Sequence, residues 1–160
     1  MTTPEELAQL HTRIRRLTDR TEVTEVCDRY VVHLDRSRHD DAWFGSVFTE
    51  DVHLVFPFGE YKGFEGLAGF QQMARTTFER THHMAGNYEV ELYPGGDDDR
   101  ARVRAHLTAV HVRRREEPAE HFDIGGHYEA EFVRTGDGWR IRGFAFDLVW
   151  SAGQGPAGGH

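Results

Sequence analysis

The chain has 160 residues, a formal net charge of −8 at pH 7, and 38% hydrophobic residues. That length suits one domain with one core. The acidic balance argues against a nucleic-acid partner, which would require a basic surface. No apolar run approaches the roughly 20 residues of a membrane span.

The single cysteine, Cys27, excludes an intrachain disulfide and indicates a reducing compartment. Cys27 lies on the apolar side of a predicted helix, where free cysteine is commonly buried. The first residues lack the basic and apolar regions of a signal peptide. We therefore expect a cytoplasmic protein with a single domain over residues 1–152 and a flexible tail at 153–160.

Two helices are predicted at the N-terminus. Thr3, Pro4 and Glu6 form the pattern of a helix start with a capping box. Thr18 and Asp19 resemble a second helix cap. The first helix carries one apolar stripe, and the second repeats apolar residues at steps of three and four, as a buried helical face does: Leu7, Leu10, Ile14 and Leu17, then Val23, Val26, Cys27, Tyr30, Val31 and Leu34.

Asp35 lies on or beside the buried face of the second predicted helix, four residues after Val31. A carboxylate in this position is unusual because Asp is rarely buried without a partner. The alternative is a carboxylate at the helix end that turns out to solvent.

A short helix at 41–48, a strand at 52–58 and a third helix from Gly63 follow. The remaining chain predicts strands at about 81–93, 101–112, 121–134 and 139–150, with a bulge or kink at Gly143. Helices followed by a mostly antiparallel sheet predict an α+β fold. We expect a cone-shaped barrel of curved, mixed sheet that wraps around the N-terminal helices and encloses a cavity.

The segment Arg80-Thr-His-His-Met-Ala-Gly-Asn87 carries the clearest chemical signal. Histidine gains and loses a proton near neutral pH, and a proton-transfer histidine needs a partner that fixes its tautomer. Asp35 is the best such partner, so we predict a buried pair between Asp35 and one of the two histidines. Neighbouring residues diverge along a strand, and parity alone does not choose between His82 and His83. A bulge at Ala85–Gly86 would turn His83 inward.

His111 continues the apolar face of its strand, so we expect it to enter the cavity. A core histidine bonded to a backbone carbonyl is the alternative. No pair of histidines has the spacing of a common zinc motif, and we expect neither a metal nor a cofactor. His127, Glu129 and Glu131 share an outward face that would suit a homo-oligomer, either dimer or trimer.

Several short motifs, in this order and spacing, resemble the SnoaL-like branch of the nuclear-transport-factor-2-like superfamily. The resemblance covers about residues 19–152 and is carried by Leu34-Asp35, Phe48-Thr-Glu-Asp51, Tyr61-Lys-Gly63, Thr81-His-His-Met-Ala-Gly-Asn87, Gly126-His-Tyr128, Gly138-Trp-Arg-Ile141 and Asp147-Leu-Val-Trp150. Members that perform chemistry include scytalone dehydratase, hexachlorocyclohexane dehydrochlorinase, ketosteroid-isomerase relatives and polyketide cyclases.

The resemblance implies a helix Asp that orients a strand His, which takes a proton from carbon. The Asp of that pair falls on Asp35 and the His on His83, and the dehydratase's second active-site histidine falls on His111. At four other pocket positions this sequence departs from the dehydratase's pattern. The dehydratase's two tyrosines fall on Leu34 and Phe56, and its Ser and Asn fall on Gly126 and Tyr128.

The resemblance therefore implies a cofactor-independent acid–base enzyme of the dehydratase, isomerase or cyclase type. We expect Asp35, His83, His111 and Tyr128 to be catalytic, the last two by polarising an oxygen or donating to a leaving group. The substrate would be a hydrophobic polyketide- or terpenoid-like molecule of secondary metabolism. The residues expected to contact it are Tyr30, Trp43, Phe44, Phe56, Asn87 and Trp150.

Two alternatives stay open on the sequence. One is a non-catalytic protein of the same fold that binds a small ligand or serves in assembly, since fold does not fix function. The other is the small subunit of a ring-hydroxylating oxygenase, which shares the fold.

Overall fold

The elements follow one another closely from Pro4 to Ala152. The computed structural model describes residues 1–156. Its helices are α1 (Pro4–Arg36), α2 (Phe44–Val47) and α3 (Gly63–Thr77), with one 3₁₀ turn at Pro94–Gly96. Its strands are β1 (Phe48–Phe56), β2 (Gly59–Lys62), β3 (Arg80–Leu92), β4 (Arg100–Val112), β5 (His121–Thr135) and β6 (Gly138–Ala152).

The six strands form one mixed sheet in the order β2-β1-β6-β5-β4-β3. β1 runs parallel to β6, and the other neighbours are antiparallel. The predicted α+β architecture is confirmed: α1 packs across the inner face of a mostly antiparallel sheet. The sheet remains open, with β2 and β3 as its edges. Among residues 1–156, no helix has the length and apolar content to cross a membrane.

The predicted break at Thr18–Asp19 is wrong, because α1 is one uninterrupted helix of 33 residues. The Asp19 side chain turns to the sheet instead of capping a second helix. It is 2% exposed, accepts two hydrogen bonds of 2.8 Å from Arg134 and one of 3.1 Å from the Trp139 indole, and also accepts from the Tyr93 hydroxyl. These partners are distant in the chain, so no local pattern reveals them.

The register of β3 decides which of its side chains face α1. Gly86 pairs with His106 of β4 and Glu89 with Arg104, so the strand bulges between them. The bulge lies just after the predicted Ala85–Gly86 step, and Asn87 takes a left-handed conformation there with φ 53°. Inner-face positions are therefore filled by Thr81, His83 and Ala85 before the bulge and by Tyr88, Val90 and Leu92 after it.

Aromatic rings fill the interior between α1, α2 and the centre of the sheet. The Tyr30 ring lies 5.4 Å from both the Phe48 and the Phe144 ring centroids. Tyr128 stacks on Phe144 at 4.8 Å. Edge-to-face and offset contacts of this kind contribute about 0.5–1.5 kcal/mol per pair beyond simple burial. This region is packed core and not the chamber expected there.

The first residues of the predicted tail are held against the domain. Arg113 donates hydrogen bonds of 2.7 and 2.6 Å to the carbonyls of Gln154 and Gly155. The end of the predicted tail, residues 157–160, lies outside the described residues.

We predict that Asp19→Asn lowers the free energy of unfolding by about 2–3 kcal/mol at neutral pH. Burial opposes the charge of Asp19, but hydrogen bonds from Arg134, Tyr93 and Trp139 outweigh it and lower its pKa to about 2. Since this pKa lies below the unfolded value of about 3.9, the contribution is complete above about pH 4 and is lost as the pH falls toward 2.

Urea unfolding of wild type and Asp19→Asn over this pH range measures the difference. Asp137→Asn, in the exposed β5–β6 turn, serves as the matched control and should leave stability nearly unchanged. A difference between wild type and Asp19→Asn that stayed constant down to pH 2 would contradict the assignment.

Candidate active site

The carboxylate of Asp35 and the imidazole of His83 are in direct contact. Asp35 lies in the last turn of α1 and His83 near the start of β3. The Oδ1–Nδ1 distance is 2.7 Å, and the backbone N–H of His83 donates to Oδ2 at 2.9 Å. His83 alone thus hydrogen-bonds to both carboxylate oxygens of Asp35, and this fixes the position of the helix relative to the strand. We call this pair the dyad.

The contact with Asp35 fixes the tautomer of His83. A carboxylate only accepts hydrogen bonds, so the His83 proton lies on Nδ1 and Nε2 keeps its lone pair. Burial raises the pKa of Asp35, but hydrogen bonds from His83 and Thr81 outweigh this effect and lower it. Asp35 is therefore ionised at neutral pH and stabilises an imidazolium on His83.

Thr81 and Arg38 support the dyad, although the sequence pattern predicts neither. The Thr81 hydroxyl lies 2.9 Å from Asp35 Oδ1 and accepts a 3.1 Å hydrogen bond from Arg38 Nη1. Arg38 also donates to the Phe78 carbonyl just after α3. Arg38 thus joins the C-terminal end of α3 to the carboxylate through Thr81. The one available signal was that Thr81 shares strand parity with His83.

His111 lies beside the dyad, with its ring centroid 5.6 Å from that of His83. Its Nδ1 is 3.0 Å from the Phe122 carbonyl oxygen, which only accepts, so Nδ1 carries the proton. Burial, together with the positive charges of a protonated His83 and of Arg38, lowers its pKa to about 4. His111 is therefore neutral at pH 7 and offers Nε2 as an acceptor, which differs from the predicted donor role.

Four residues predicted at the site are buried in the packed core. Tyr128 is 1% exposed, burial raises the pKa of its phenol, and among residues 1–156 its hydroxyl has no hydrogen-bond partner. Tyr30, Trp43 and Phe44 are 2%, 6% and 3% exposed. Their rings pack against one another and against neighbouring aromatic side chains, so the structure does not place them on a cavity wall.

Two further predicted contact residues lie away from the dyad. Asn87 is exposed at the β3 bulge. Trp150 pairs with Gly125 and covers it. Gly125 in turn pairs with Thr108, which is exposed on the outer face of the sheet. Trp150 therefore covers the outer face, whereas His83 lies on the inner face. An extra β6 residue beside Gly125–Gly126 shifts the register and reverses the parity of Trp150.

The remaining predicted contact residue, Phe56, is half-buried at the end of β1 and stacks on Phe70 of α3 at 4.6 Å. Next to the dyad, the sheet register places Ala109 and Ile124 in one row with His83. The next row joins Thr81, His111 and Phe122. The inner-face neighbours of His83 on the sheet are therefore mainly apolar, with His111 and Thr81 as the polar exceptions.

Two surface depressions within residues 1–156 lie mainly on the outer face of the sheet. One, of about 110 Å³, lies beside Arg80, His82 and Arg115. The other, of about 460 Å³, lies among the charged side chains of β3, β4 and β5. Within the described residues, no three His, Cys, Asp or Glu side chains are grouped as a metal site would require.

Comparison with known proteins identifies relatives of this fold. The family model described as a SnoaL-like domain matches residues 15–145. An uncharacterized protein of Mycobacterium tuberculosis is 28% identical over 135 residues, which cover 80% of this chain and 84% of that protein. The resemblance to the SnoaL-like branch is thereby confirmed.

Two solved structures share the fold. A scytalone dehydratase-like protein from Novosphingobium aromaticivorans superposes with a TM-score of 0.77 at 19% identity, covering 92% of this chain and 99% of that one. The hexachlorocyclohexane dehydrochlorinase LinA-type3 from Novosphingobium barchaimii gives a TM-score of 0.74 at 17% identity, covering 92% and 97%. At these identities the likeness establishes the fold alone.

We predict that His111 stays neutral, with its proton on Nδ1, as the pH falls to about 5. Its pKa of about 4 lies below the unfolded value of about 6.5. The unfolded chain therefore binds a proton first, and His111 lowers stability progressively as the pH falls from about 6.5 to 4, by up to about 3 kcal/mol.

Imidazole nitrogen NMR reports the tautomer and titration of His111 directly. As the pH falls from about 6.5 to 4, urea unfolding should show a smaller loss of stability for His111→Gln than for wild type. The exposed His39→Gln is the control. A His111 ring that titrated above pH 6 would contradict the prediction.

Proposed function

We propose that this chain, which belongs to the SnoaL-like domain family, is an enzyme that removes a proton from carbon in an apolar small molecule. The observation that carries the proposal is the dyad: a 2.7 Å Asp35–His83 contact that places the proton of the neutral His83 ring on Nδ1, so that Nε2 is the nitrogen left to act as a base. A base of this kind, with an oriented tautomer and a fixed counter-charge, suits general-base catalysis without a cofactor.

In the proposed reaction, His83 Nε2 takes a proton from a carbon next to an activating group. The imidazolium that forms donates to Asp35 through Nδ1, and the carboxylate stabilises its charge. The electron pair of the broken C–H bond either moves onto a carbonyl oxygen as an enolate or forms a C=C bond as a leaving group departs. Elimination, isomerisation and cyclisation share this first step.

His111 would accept a hydrogen bond from a substrate hydroxyl, since its Nε2 is unprotonated. Because Tyr128 is buried, we assign the return of the proton to His83: its imidazolium can protonate a departing hydroxide or the other end of an enolate. One residue would then act first as base and then as acid.

Apolar inner-face neighbours favour a largely hydrophobic substrate, with a polyketide- or terpenoid-like skeleton as the proposed class. Ile124 and Phe56 are half-buried on the core side of the sheet, and the small apolar side chain of Ala109 pairs beside His83. The dehydratase-like and dehydrochlorinase relatives of this fold favour an elimination within the proposed range.

Hydrogen–deuterium exchange tests proton abstraction before the natural substrate is known. Incubation with a panel of cyclic ketones and β-hydroxyketones in heavy water, followed by NMR, should show deuterium incorporation at the carbon next to the carbonyl. His83→Gln and Asp35→Asn should reduce exchange by about 100-fold or more, since the base or its counter-charge is lost.

His82→Gln is the matched control, because His82 is the neighbouring histidine on the exposed face. It should retain wild-type exchange. If wild type binds panel compounds but exchanges no faster than His83→Gln, the chain is a binding protein in which the dyad is a satisfied buried pair, and the proposal fails.

Thr81→Val should reduce kcat by about 10-fold or more with little change in KM, because Asp35 loses a hydrogen bond of the strong, charge-assisted kind. Thr81→Ser keeps the hydroxyl and should restore most of the rate. Steady-state kinetics of both variants measure the effect on any substrate found in the panel. Equal losses in the two variants would point to packing by the Thr methyl group instead.

A further inference from the structure

The first half of α1 projects beyond the domain. We call residues 4–18 the arm; its length is about 22 Å. Every residue of the arm is exposed. Among the described residues, the side-chain contacts that link it to the body begin at Arg15 and Arg16, whose guanidinium groups lie 5.5 and 5.6 Å from the Tyr93 ring centroid. The remaining hydrogen bonds of the arm side chains are local to α1.

Four large apolar side chains line the arm and remain in contact with water. Their exposed fractions are 46% for Leu7, 49% for Leu10, 51% for Ile14 and 65% for Leu17. We call them the arm stripe. Single exposed apolar residues are common on protein surfaces, but an aligned set of large ones marks an interaction surface.

The arm stripe points away from its own domain. Each residue of an α-helix turns by about 100°, so Ile14 and Tyr30, sixteen positions apart, lie about 160° apart around the axis. Tyr30 belongs to the buried face of α1 together with Val23 and Cys27. While α1 remains one helix, the domain that covers Tyr30 does not reach the arm stripe.

The spacing of the arm stripe is that of a coiled-coil seam. Leu7, Leu10, Ile14 and Leu17 follow at steps of three, four and three, which are the a and d positions of two heptads. A strict a/d stripe is narrower than the apolar face of a helix packed on a globular core. It also lacks the Trp and Phe anchors common in helices that lie on membranes.

We propose that the arm pairs with the arm of a second copy of this chain as a short antiparallel coiled coil. In this arrangement Leu7 packs against the partner's Leu17, and Leu10 against the partner's Ile14. The two-fold axis makes each contact twice, so that all four apolar side chains of each arm are covered by the other.

The charges beside the arm stripe favour the antiparallel direction. Glu6 and Arg20 occupy equivalent flanking positions, and antiparallel pairing brings Glu6 opposite the partner's Arg20 on both sides of the axis. A parallel pair would instead bring Glu6 to the partner's His11. Arg13 meets the partner's Arg13 near the axis, where long stems allow the guanidinium groups to spread into water.

The proposal does not depend on the chemistry of the dyad. Asp35 lies 25 residues beyond Leu10 on the same helix, a separation of about 37 Å along the axis. The outward face that carries His127, Glu129 and Glu131, on which a homo-oligomer was first expected, does not take part.

Sedimentation velocity and light scattering of the full chain test the pairing. Wild type should be a dimer that dissociates on dilution, and Leu10→Glu/Ile14→Glu should be a folded monomer. Val32→Glu is the matched control: Val32 is an exposed apolar residue of α1, 44% exposed, outside the antiparallel overlap, and should leave the dimer intact.

A charge exchange tests the direction. Glu6→Arg and Arg20→Glu alone should each weaken the dimer about tenfold, because each removes both symmetric ion pairs. The combined Glu6→Arg/Arg20→Glu chain should regain most of the affinity. The loss of the Glu6 capping contact is common to Glu6→Arg and the combined chain, so it does not produce this recovery.

Three results would overturn the proposal. They are a wild type that stays monomeric at every concentration, a dimer that survives Leu10→Glu/Ile14→Glu, and a combined charge exchange no tighter than the single changes. Lipid vesicles, added in parallel, distinguish a membrane surface: binding that the stripe substitutions abolish, with no dimer in solution, would assign the arm stripe to lipid.

Discussion

The site depends on the two hydrogen bonds that His83 makes with the carboxylate oxygens of Asp35. They join the last turn of α1 to the first residues of β3. Any slip of β3 by one residue would replace His83 with His82 and turn the imidazole to solvent. The bulge at Asn87 allows the inward side chains of both halves of the strand to lie on the same face of the sheet. Without it, either His83 or the apolar set from Tyr88 to Leu92 would point outward.

Charge balance at the dyad explains why a base survives there. Asp35 is the carboxylate in contact with His83, and His111 and Arg38 are the other nitrogen-bearing side chains near the dyad. Arg38 is positive and is held through Thr81. His111 is neutral because burial, and after it the nearby positive charges, lower its pKa to about 4. A proton taken by His83 therefore adds one charge whose nearest compensation is Asp35, and this makes the carboxylate indispensable to the proposed step.

The sequence predicted most elements within a few residues, because the period of apolar residues is a local property that burial enforces. It also predicted the inward face of Asp35. It missed what depends on contacts between distant segments. The partners of Asp19 lie just after β3, on β5 and on β6, so the local sequence does not reveal that Asp19 is buried inside one continuous helix. The extra β6 residue reversed Trp150, and parity counted along one strand contains no such information.

The same limit explains why the sequence predicted a chamber where the structure has packed core. A pattern shows that Tyr30, Phe44 and Tyr128 face inward, but not whether facing rings leave a space or interlock. In the structure they interlock, and α1 is held on the sheet by this packing and by the Asp19–Arg134 contact. α1 therefore has a different role at each end. Its last turn carries Asp35, which contacts β3. Its first half carries the arm stripe on the side opposite to the face that the domain covers. Asp19, where burial begins, separates the part of α1 that the domain covers from the part left for a second chain.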